Sequence, residues 1–396
     1  MERGTGLEFE RALAIVLASA RYLGEELVPL SEAAGRVLAA DLVADGDQPP
    51  FAKAAMDGFA CRRSDLPGPL TVVETIAAGL VPRELVTPGL CARIMTGAPL
   101  PSGADCVVRL EDTETLTDGS VRSLSTAAGS NICRQGEDMS SGDIVLGRGL
   151  RIAAPHVAVL ASLGKARVPV ARRPRVAIIA TGDELVAVES RPGPGQIRNS
   201  NGPQLVAQTV AAGGVPHIRA PARDEATELH AALAAALADS DVVVLSGGVS
   251  AGDFDLVPQA MRDCGLEIRF DRLAMKPGQP TTFAVGDGAW CFGLPGNPVP
   301  TFLQFEILVR PLLARLMGGD PTPRMFVAPL AETVTRRGVA CRSWLPVRLT
   351  ADGEVRPLDC HGSAHIHALC LADGFIVLPE GTTRLEKGAL IHVRPV

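Results

Sequence analysis

The sequence predicts an α/β multidomain protein built on a doubly wound, mostly parallel sheet, with β-rich segments before and after that sheet. Two observations lead to this class. Apolar strands alternate with helical segments from Arg175 to about residue 317, which places helices on both faces of one sheet. Short β-rich runs broken by proline and glycine occupy residues 70–130 and the chain after 321. At 396 residues the chain is too long for a single core, so several domains are expected.

The α/β segment contains five predicted strands, and the apolar ones among them fit burial on both faces. They are RVAIIA (175–180), VPHIRA (215–220), DVVVLS (241–246), LEIRF (266–270) and AWCFGL (289–294). Helices are predicted at 203–214, closed by Gly213, at 224–238, with Asp224 as N-cap, and from about 298 to 317.

The regions that flank this segment predict further domains. Residues 8–22, 31–38 and 150–163 are predicted helices, the last with Pro155 near its start and Gly164 just past its end. Strands are predicted at Leu70–Ile76 and Cys106–Leu110, so the β-rich stretch is an insertion between helical pieces. The chain after PTPR (321–324) predicts a small barrel or sandwich.

Composition excludes several classes of function. A net charge of −6, from 38 basic and 44 acidic residues, argues against a nucleic-acid coat or a basic membrane-surface protein. Acidic residues precede the first apolar stretch, which predicts an amphipathic helix and not a signal peptide, and no apolar run approaches the length of a membrane span. Nine cysteines without a CxxC favour reduced thiols. We therefore expect a cytoplasmic protein without nucleic-acid or membrane partners.

Chemistry-bearing residues follow three of the predicted strands. Ligands of open α/β sheets bind outside the carboxyl ends of the strands. Glycine turns, hydroxyls and carboxylates stand at these ends: Thr181-Gly182-Asp183-Glu184, then Ser246-Gly247-Gly248-Val249-Ser250 with Asp253 and Asp255, and Pro295-Gly296-Asn297-Pro298.

Each of these ends supports a functional and a structural interpretation. Asn297 and Pro298 are typical of a helix start, whose free N–H groups bind phosphate or an oxyanion, although an ordinary strand-to-helix turn has the same pattern. Asp253 and Asp255 are oxygen ligands suited to Mg²⁺, but Asp253 could instead cap a helix that begins near Phe254. Lys276 adds a cation on the MKPGQP loop, where a lone lysine is usually a solvated charge.

Three stretches lie outside the α/β segment. AAMDGFA carries Asp57 and RIMTGAP carries Thr96, and either stretch could be a simple turn. CHGSAHIHALC (360–370) contains two cysteines and three histidines, but the spacing matches no familiar zinc pattern, so the sequence argues against zinc here.

Taken together, these stretches resemble the molybdopterin molybdenumtransferase family, whose enzymes finish the synthesis of molybdenum cofactor. The matching motifs occur in family order: PPFAKAAMDGFA, RIMTGAPLPSGADCVV, NICRQGEDMSSGD, LASLG (160–164), ATGDEL, SGGVSAGDFD, MKPGQPTTFA and LPGNPVPTF, with looser matches at HGSAH and FIVLPEG.

The resemblance implies a subunit of four domains. These are a discontinuous elongated helical domain (1–48 and 131–172), an inserted β domain (49–130), an α/β molybdopterin-binding domain (173–320) and a C-terminal β-barrel (321–396). It also implies a homodimer with shared active sites. Molybdopterin adenylyltransferase and molybdoenzyme maturation proteins are the implied partners.

The implied reaction inserts molybdenum from molybdate into adenylylated molybdopterin, releasing AMP with the help of Mg²⁺. On that template Ser246, Gly247, Gly248, Ser250 and the Pro295-Gly296-Asn297 turn hold the phosphate or pterin side of the substrate. Mg²⁺ falls to Asp253 and Asp255, and Thr181, Gly182, Asp183 and Glu184 form the turn that binds the pterin edge or, through Glu184, the metal. Lys276 attracts molybdate, Asp57 and Thr96 reach in from the partner subunit, and Ser363 lines the oxyanion pocket.

Several positions depart from the family pattern. Gln279 replaces the second lysine of the usual KPGKP loop, Ala52 and Ala54 replace an aspartate and a serine, and Pro300 replaces a serine. In the C-terminal pocket only Arg342 offers a match to the usual charged residues. The alternative function is therefore a divergent paralogue that binds molybdopterin or the finished cofactor as a carrier or scaffold. An unrelated nucleotide phosphotransferase is disfavoured because the chain has no P-loop and no GxGxxG.

Overall fold

A computed structural model describes residues 6–126, 129–248, 256–336, 338, 341–359, 362 and 364–396. The chain divides into two compact units. The first unit comprises Met1–Ala39, Arg148–Ala153 and Arg167–Val396, and the second unit comprises Ala40–Gly147 and Ala154–Ala166. In the part of the chain described, no helix combines the length and apolar character needed to cross a membrane.

The helices of the described residues are, in chain order, α1 (Phe9–Ser19), α2 (Ala154–Ser162), α3 (Asn201–Ala211), α4 (Ala226–Asp239), α5 (Leu256–Asp263), α6 (Pro298–Gln304), α7 (Arg310–Leu316) and α8 (His367–Cys370). A π-helical turn, Phe305–Val309, joins α6 to α7, so the two form one continuous helix. Single 3₁₀ turns occur at Leu30–Glu32, Arg63–Asp65 and Leu110–Asp112.

The strands are, in the same order, β1 (Glu25–Pro29), β2 (Leu42–Val43), β3 (Lys53–Ala54), β4 (Gly58–Cys61), β5 (Thr71–Ile76), β6 (Leu90–Ile94), β7 (Cys106–Arg109), β8 (Thr113–Thr115), β9 (Val121–Ser123), β10 (Ile132–Cys133), β11 (Ile144–Leu146), β12 (Arg167–Ala171), β13 (Arg175–Ala180), β14 (Leu185–Val186), β15 (Ile197–Arg198), β16 (Val215–Ile218), β17 (Val242–Ser246), β18 (Glu267–Arg272), β19 (Met275–Lys276), β20 (Pro280–Val285), β21 (Trp290–Leu294), β22 (Phe326–Pro329), β23 (Val334–Thr335), β24 (Arg342–Leu349), β25 (Val355–Pro357), β26 (Gly374–Leu378), β27 (Arg384–Leu385) and β28 (Leu390–Pro395).

The central sheet of the first unit has the order β16-β13-β17-β21-β20-β18. The first four strands are parallel, and β20 and β18 continue the sheet in antiparallel pairings. All five predicted strands are present. The sixth, β20, lies within the segment interpreted from its motif as a loop, although TTFAV has the apolar and β-branched character of a strand.

Both faces of this sheet are buried, which confirms the doubly wound arrangement. On one face Val242 and Val244 belong to an apolar cluster with Leu205 of α3 and Leu308 and Leu312 of the α6–α7 helix. On the other face lies a second cluster that holds Val243, Leu245, Leu229, Leu233 and Val257. Because successive side chains of a strand point to opposite faces, one apolar run supplies both cores.

Two local predictions are wrong. The helix expected at 31–38 is only the 3₁₀ turn at Leu30–Glu32, because Gly35 adopts a φ of +80° and Leu38 then donates its N–H to Leu150 O at 2.9 Å. Asp224 is not an N-cap. Helix α4 begins one residue later than that would require, with Glu225 at the N-cap position and no side-chain cap, while Asp224 donates its own N–H to Asp183 Oδ1 at 3.3 Å.

The C-terminal strands form a sheet in the order β19-β24-β26-β28-β22, with β25 paired to β24. No closed barrel is found among the described strands, so the β-barrel expectation is not confirmed. The reason is that β19, contributed by the segment just before β20, occupies one edge and pairs only with β24 on this path, while β22 forms the other edge.

The second unit is built around a four-stranded sheet of order β5-β6-β4-β7. All four residues of β4 are buried because neighbouring strands cover both of its edges and apolar clusters lie on its two faces. Gly58 begins β4 between Ile94 and Arg109, where an added Cβ would lie 1.9 Å from Val108 O. The glycine in the Met56-Asp57-Gly58 motif therefore permits the strands to approach.

Candidate functional site

A cavity of about 600 Å³ lies at the carboxyl edge of the parallel strands β13, β17 and β21. This volume is within the usual range for small-molecule sites. Nine of the residues predicted from the sequence line it: Thr181, Gly182, Glu184, Ser246, Gly247, Gly248, Pro295, Gly296 and Asn297. The structure therefore brings together the three glycine turns that are far apart along the chain.

The turn after β17 depends on glycine because the backbone approaches that of the turn after β13. Gly247 has a φ of +106°, and a Cβ built on it would lie 2.5 Å from Thr181 O. Gly248 also has a positive φ, +64°. Gly296 lies beside this turn, and a Cβ built on it would make an ordinary contact, 3.5 Å, with the Cα of Gly247. Any side chain at Gly247 would push the turns apart and change the cavity wall.

The turn after β13 places one of its two carboxylates in the cavity lining. Glu184 is exposed and lines the cavity, and its carboxylate lies over Gly182, where an added Cβ would be 2.4 Å from Glu184 Oε2. Asp183 is not part of the lining, and its Oδ1 accepts the N–H of Asp224. Glu184 therefore lines the cavity, whereas Asp183 binds the backbone of the segment just before α4.

Asn201, at the start of α3, links the turns after β17 and β21 and was not predicted. Its side-chain amide donates to Ser246 Oγ at 2.8 Å and to Gly296 O at 2.7 Å, and Ser246 Oγ in turn donates to Pro295 O at 3.2 Å. Asn201 is only 9% exposed. The polar run RNSN (198–201) immediately before an amphipathic helix is the signal that could have identified it.

Two buried polar atoms of the cavity wall have no hydrogen-bond partner among the described residues. They are Thr181 Oγ1 and Asn201 Oδ1, and both residues line the cavity. Buried polar atoms of native proteins are almost always paired, so unpaired ones at a cavity need a ligand or water to satisfy them. These two atoms mark a polar part of the cavity wall.

Asn297 occupies the N-cap position of α6, as predicted, with Pro298 at the first helical position. Its side chain makes no capping hydrogen bond, and its carbonyl accepts the Thr301 hydroxyl at 2.7 Å. The N-terminal end of a long helix therefore faces the cavity with its partial positive charge, an arrangement that favours anionic ligands.

The loop that carries Lys276 reaches the cavity only at Pro280. Lys276 is exposed, is not part of the lining, and pairs with Ser343 of β24. The loop is fixed by Gln304, a fully buried residue that sequence reasoning missed, whose Nε2 donates to Gly278 O at 2.8 Å. A helix residue with no local motif thus positions the loop.

Asp57 and Thr96 come together within the second unit. Asp57 Oδ1 accepts both the backbone N–H and the hydroxyl of Thr96, each at 2.7 Å. The Thr96 backbone hydrogen bond, with the hydroxyl, holds the pKa of the Asp57 carboxyl below its usual value. The two motifs that were each compatible with a separate turn are therefore parts of one hydrogen-bonded arrangement.

Four predicted site residues, Ser250, Asp253, Asp255 and Ser363, lie outside the residues that the structure describes. Ala364 and Ile366, which follow Ser363, line the cavity. Over the described ranges, no group of three or more His, Cys, Asp or Glu residues has an arrangement that could hold a metal ion. Glu184 is the one predicted metal ligand whose position is known. His367, one of the three histidines of CHGSAHIHALC, begins the short helix α8.

Fold and cavity define a doubly wound α/β protein with a candidate small-molecule site at the carboxyl ends of its parallel strands. The chain belongs to the molybdopterin molybdenumtransferase family. Residues 7–164 match the MoeA N-terminal region (domain I and II), residues 177–315 a probable molybdopterin binding domain, and residues 328–396 the MoeA C-terminal region (domain IV).

Named relatives match over nearly the whole chain. The molybdopterin molybdenumtransferase of Staphylococcus epidermidis is 36% identical over 99% of this chain and 96% of its own length, and that of Bacillus subtilis is 34% identical over 99% and 95%. Two solved MoeA proteins of molybdopterin biosynthesis from Pyrococcus horikoshii have TM-scores of 0.81 and 0.86 at 33% and 29% identity. Each comparison covers 98% of this chain, and 99% and 100% of the respective structures.

Proposed function

We propose that this protein inserts molybdenum into adenylylated molybdopterin, using molybdate as substrate and releasing AMP. Membership of the family over the whole chain supports a transferase of molybdenum cofactor biosynthesis. The observation that carries the proposal is the cavity formed by three glycine turns, with a helix N-terminus and two unpaired buried polar atoms in its wall.

The proposed substrate suits the chemistry of this wall. Backbone N–H groups at Gly248 and the start of α6 would bind phosphate oxygens, because they are donors beside a partial positive charge. The N–H of Gly247 is not among them, since it donates to Leu294 O at 3.1 Å. Thr181 and Asn201 would form part of the wall that faces the pterin, since both residues line the cavity. Ser246 would act indirectly, since its hydroxyl already joins Asn201 to Pro295.

Mg²⁺ is part of the proposal, with Asp253, Asp255 and Glu184 as its ligands. The exposed carboxylate of Glu184 in the cavity has the oxygen chemistry that Mg²⁺ prefers. When bound, the ion would neutralise charge on the phosphate oxygens of the substrate and on the AMP leaving group. The protein's own part is to hold the phosphate and pterin so that the dithiolene faces molybdate.

Lys276 and Ser363 are proposed to attract molybdate, and Asp57 and Thr96 to complete the site from the partner subunit of a homodimer. Hydrogen bonds from the Thr96 backbone N–H and hydroxyl lower the pKa of the Asp57 carboxyl and so stabilise its ionised form. Molybdopterin adenylyltransferase would supply the substrate, and molybdoenzyme maturation proteins would receive the product.

A carrier or scaffold without metal insertion is the second candidate. The observation that favours it is the loop 276–280, where Gln279 takes the place of a lysine and Lys276 lies outside the cavity lining. Fewer cations near a dianion weaken its binding.

A single-turnover assay decides between the two. Purified protein is mixed with adenylylated molybdopterin, Mg²⁺ and increasing molybdate, and AMP and molybdenum cofactor are quantified together. Molybdate-dependent formation of both products supports the transferase. Tight binding of the pterin with no AMP at any molybdate concentration would establish the carrier.

Asp253→Asn tests the assignment of the metal ligand. The variant should bind the pterin and fold like the parent protein but release no AMP, because an amide oxygen carries no charge to hold Mg²⁺. Asp263→Asn is the matched control, since Asp263 lies at the end of α5 and accepts a hydrogen bond from Gln259 at 2.7 Å. Full AMP release by Asp253→Asn would remove Asp253 from the metal site.

A further inference from the structure

A second cavity, of about 460 Å³, lies in the first unit and shares no lining residue with the cavity of the glycine turns. Its walls come from the carboxyl end of α3, the α6–α7 helix, the segment 320–324 and β28. Four arginines line it: Arg151, Arg310, Arg324 and Arg394. None of the four belongs to the motifs considered above, so neither the family resemblance nor the proposed reaction explains this concentration of positive charge.

Arg394 is the most buried of the four, with 6% of its surface exposed. Its Nη2 donates to the carbonyl of Glu306, in the π-helical turn. That carbonyl lacks its usual helical donor because residue 311, five positions later, is a proline without an N–H. Arg394 therefore satisfies a backbone acceptor, but a carbonyl does not neutralise the charge of the guanidinium.

The carboxylates of the cavity are already engaged. Glu306 receives two hydrogen bonds from Arg310, the Nη2 one at 2.9 Å, and a third from Gln208 Nε2 at 2.8 Å. Asp320 accepts the N–H of Thr322 at 2.9 Å. The lining thus holds four guanidinium groups and two side-chain carboxylates.

The two remaining arginines stand at the open side. Both are exposed, and Arg151 donates Nη2 to Ala211 O at 3.2 Å. Burial lowers the pKa of Arg394 to about 10, so it stays charged at neutral pH at a cost in solvation that a bound anion would offset. Buried charges in proteins are normally paired, but the nearby Glu306, which raises the pKa of Arg394, already accepts the hydrogen bonds of Arg310 and Gln208.

We propose that this cavity binds a tetrahedral dianion of the phosphate class, held by Arg394 at its base and by Arg151 and Arg324 at its mouth. The forked donors of guanidinium groups match the oxygen spacing of such ions, and several converging arginines are a common way to bind them. The inference does not depend on the proposed function. Inorganic phosphate and molybdate share this chemistry, and the test includes both.

Calorimetric titration of the full chain tests the proposal. Sodium phosphate, sodium molybdate and sodium chloride are added separately at constant ionic strength. Phosphate should bind at one site, and molybdate should bind there in addition to any binding at the first cavity. The doubly substituted protein Arg151→Gln, Arg324→Gln should bind phosphate at least tenfold more weakly. The matched control is Arg348→Gln, Arg356→Gln, which removes two exposed arginines of the C-terminal sheet and should leave the affinity unchanged. The ratio of the phosphate and molybdate affinities identifies the preferred ion.

Two further variants separate this site from the first cavity. Lys276→Gln should not alter the binding measured here, because Lys276 does not line the arginine cavity. The variant Arg394→Lys keeps the positive charge but loses the two forked donors of the guanidinium group. The folded variant should bind phosphate at least tenfold more weakly. Binding that survives in the Arg151→Gln, Arg324→Gln protein and disappears in Lys276→Gln would overturn the proposal. So would the absence of binding at millimolar phosphate and molybdate.

Discussion

Gly247 sets the distance between the turns after β13 and β17. Two effects exclude a side chain there: a φ of +106° that L-residues rarely adopt, and a Cβ position 2.5 Å from Thr181 O. A positive φ alone costs little stability, and many glycines of this chain have one. The short distance to Thr181 O is specific to Gly247 and connects this residue to the cavity wall.

Gly247→Ala should therefore lower the free energy of unfolding by about 2–4 kcal/mol, more than a positive φ alone costs. Gly265→Ala is the control, because Gly265 has a φ of +78° with no atom within 4 Å of the added Cβ, and about 1 kcal/mol is expected there. Urea unfolding measures both. Equal losses in the two variants would show that the close approach to Thr181 is relieved by a small shift.

Gln279→Lys should lower the molybdate concentration that gives half the maximal rate in the single-turnover assay, by about threefold to tenfold. Gln279 is exposed and lies three residues after Lys276, so a lysine there adds a cation to the same loop. Gln259→Lys makes the same charge change on α5 and should leave the value unchanged. If both variants behave alike, net charge and not the loop position controls molybdate use.

The residues that line the first cavity were only partly predictable from the sequence. The glycine turns could be found because each follows an apolar strand directly. Asn201 had only the polar run 198–201 before its helix as a signal, and Gln304 had none, because each acts through hydrogen bonds to residues far away in the chain. Such a contact leaves no local pattern.

At the scale of elements, the parallel strands were predictable because an apolar strand flanked by helices usually lies inside a parallel sheet that helices cover on both faces. The prediction of a helix at 31–38 was wrong because hydrogen bonds between Leu38 and residues near 150 override the local preference for helix. Strand β20 was missed because its first residue belongs to a proline-glycine loop. Apart from Pro311, we found no sequence signal that predicts the π-helical turn.

The start of the central sheet is held by Asp241, just before β17. Its side chain is 8% exposed and accepts hydrogen bonds from Arg172 at 3.0 Å and from the Arg175 backbone at 2.8 Å. Burial raises the pKa of this carboxyl, but the hydrogen bonds from Arg172 and Arg175 outweigh it, so the pKa lies below its ordinary value. The interaction of Asp241 with Arg172 and Arg175 therefore stabilises the sheet while Asp241 is ionised.

Asp241→Asn should cost about 2 kcal/mol of stability at pH 7, because it leaves two arginines without their carboxylate. A lowered folded-state pKa means that the contribution of Asp241 is present above about pH 4 and is lost as the pH falls through the folded value. The difference in melting temperature between parent and variant should thus shrink from pH 6 to pH 3. Asp352→Asn, in an exposed turn, is the control and should give a small difference at every pH.

At the scale of the molecule, the first unit holds both cavities, and the same two helices contribute to each. Helix α3 begins at Asn201 in the glycine-turn cavity and ends at Ala211 in the arginine cavity, and the α6–α7 helix likewise begins beside Asn297 and contributes Arg310. The sequence predicted these helices but not the second cavity. Its arginines are scattered from residue 151 to residue 394, so only the folded chain reveals them as a group.

The pairing of β1 with β12 has a kinetic consequence. Glu25 lies opposite Ala171, and Leu38 accepts the N–H of Gly149 at 2.8 Å, so the chain leaves the first unit and returns to it at adjacent points. Closing a disordered loop of about 140 residues costs roughly 4 kcal/mol of chain entropy, and prior folding of the second unit would shorten that loop. In refolding from urea followed by pulsed hydrogen exchange, amides of β4 and β6 should gain protection before those of β1 and β12. The reverse order would mean that the distant strands find each other while the intervening chain is still disordered.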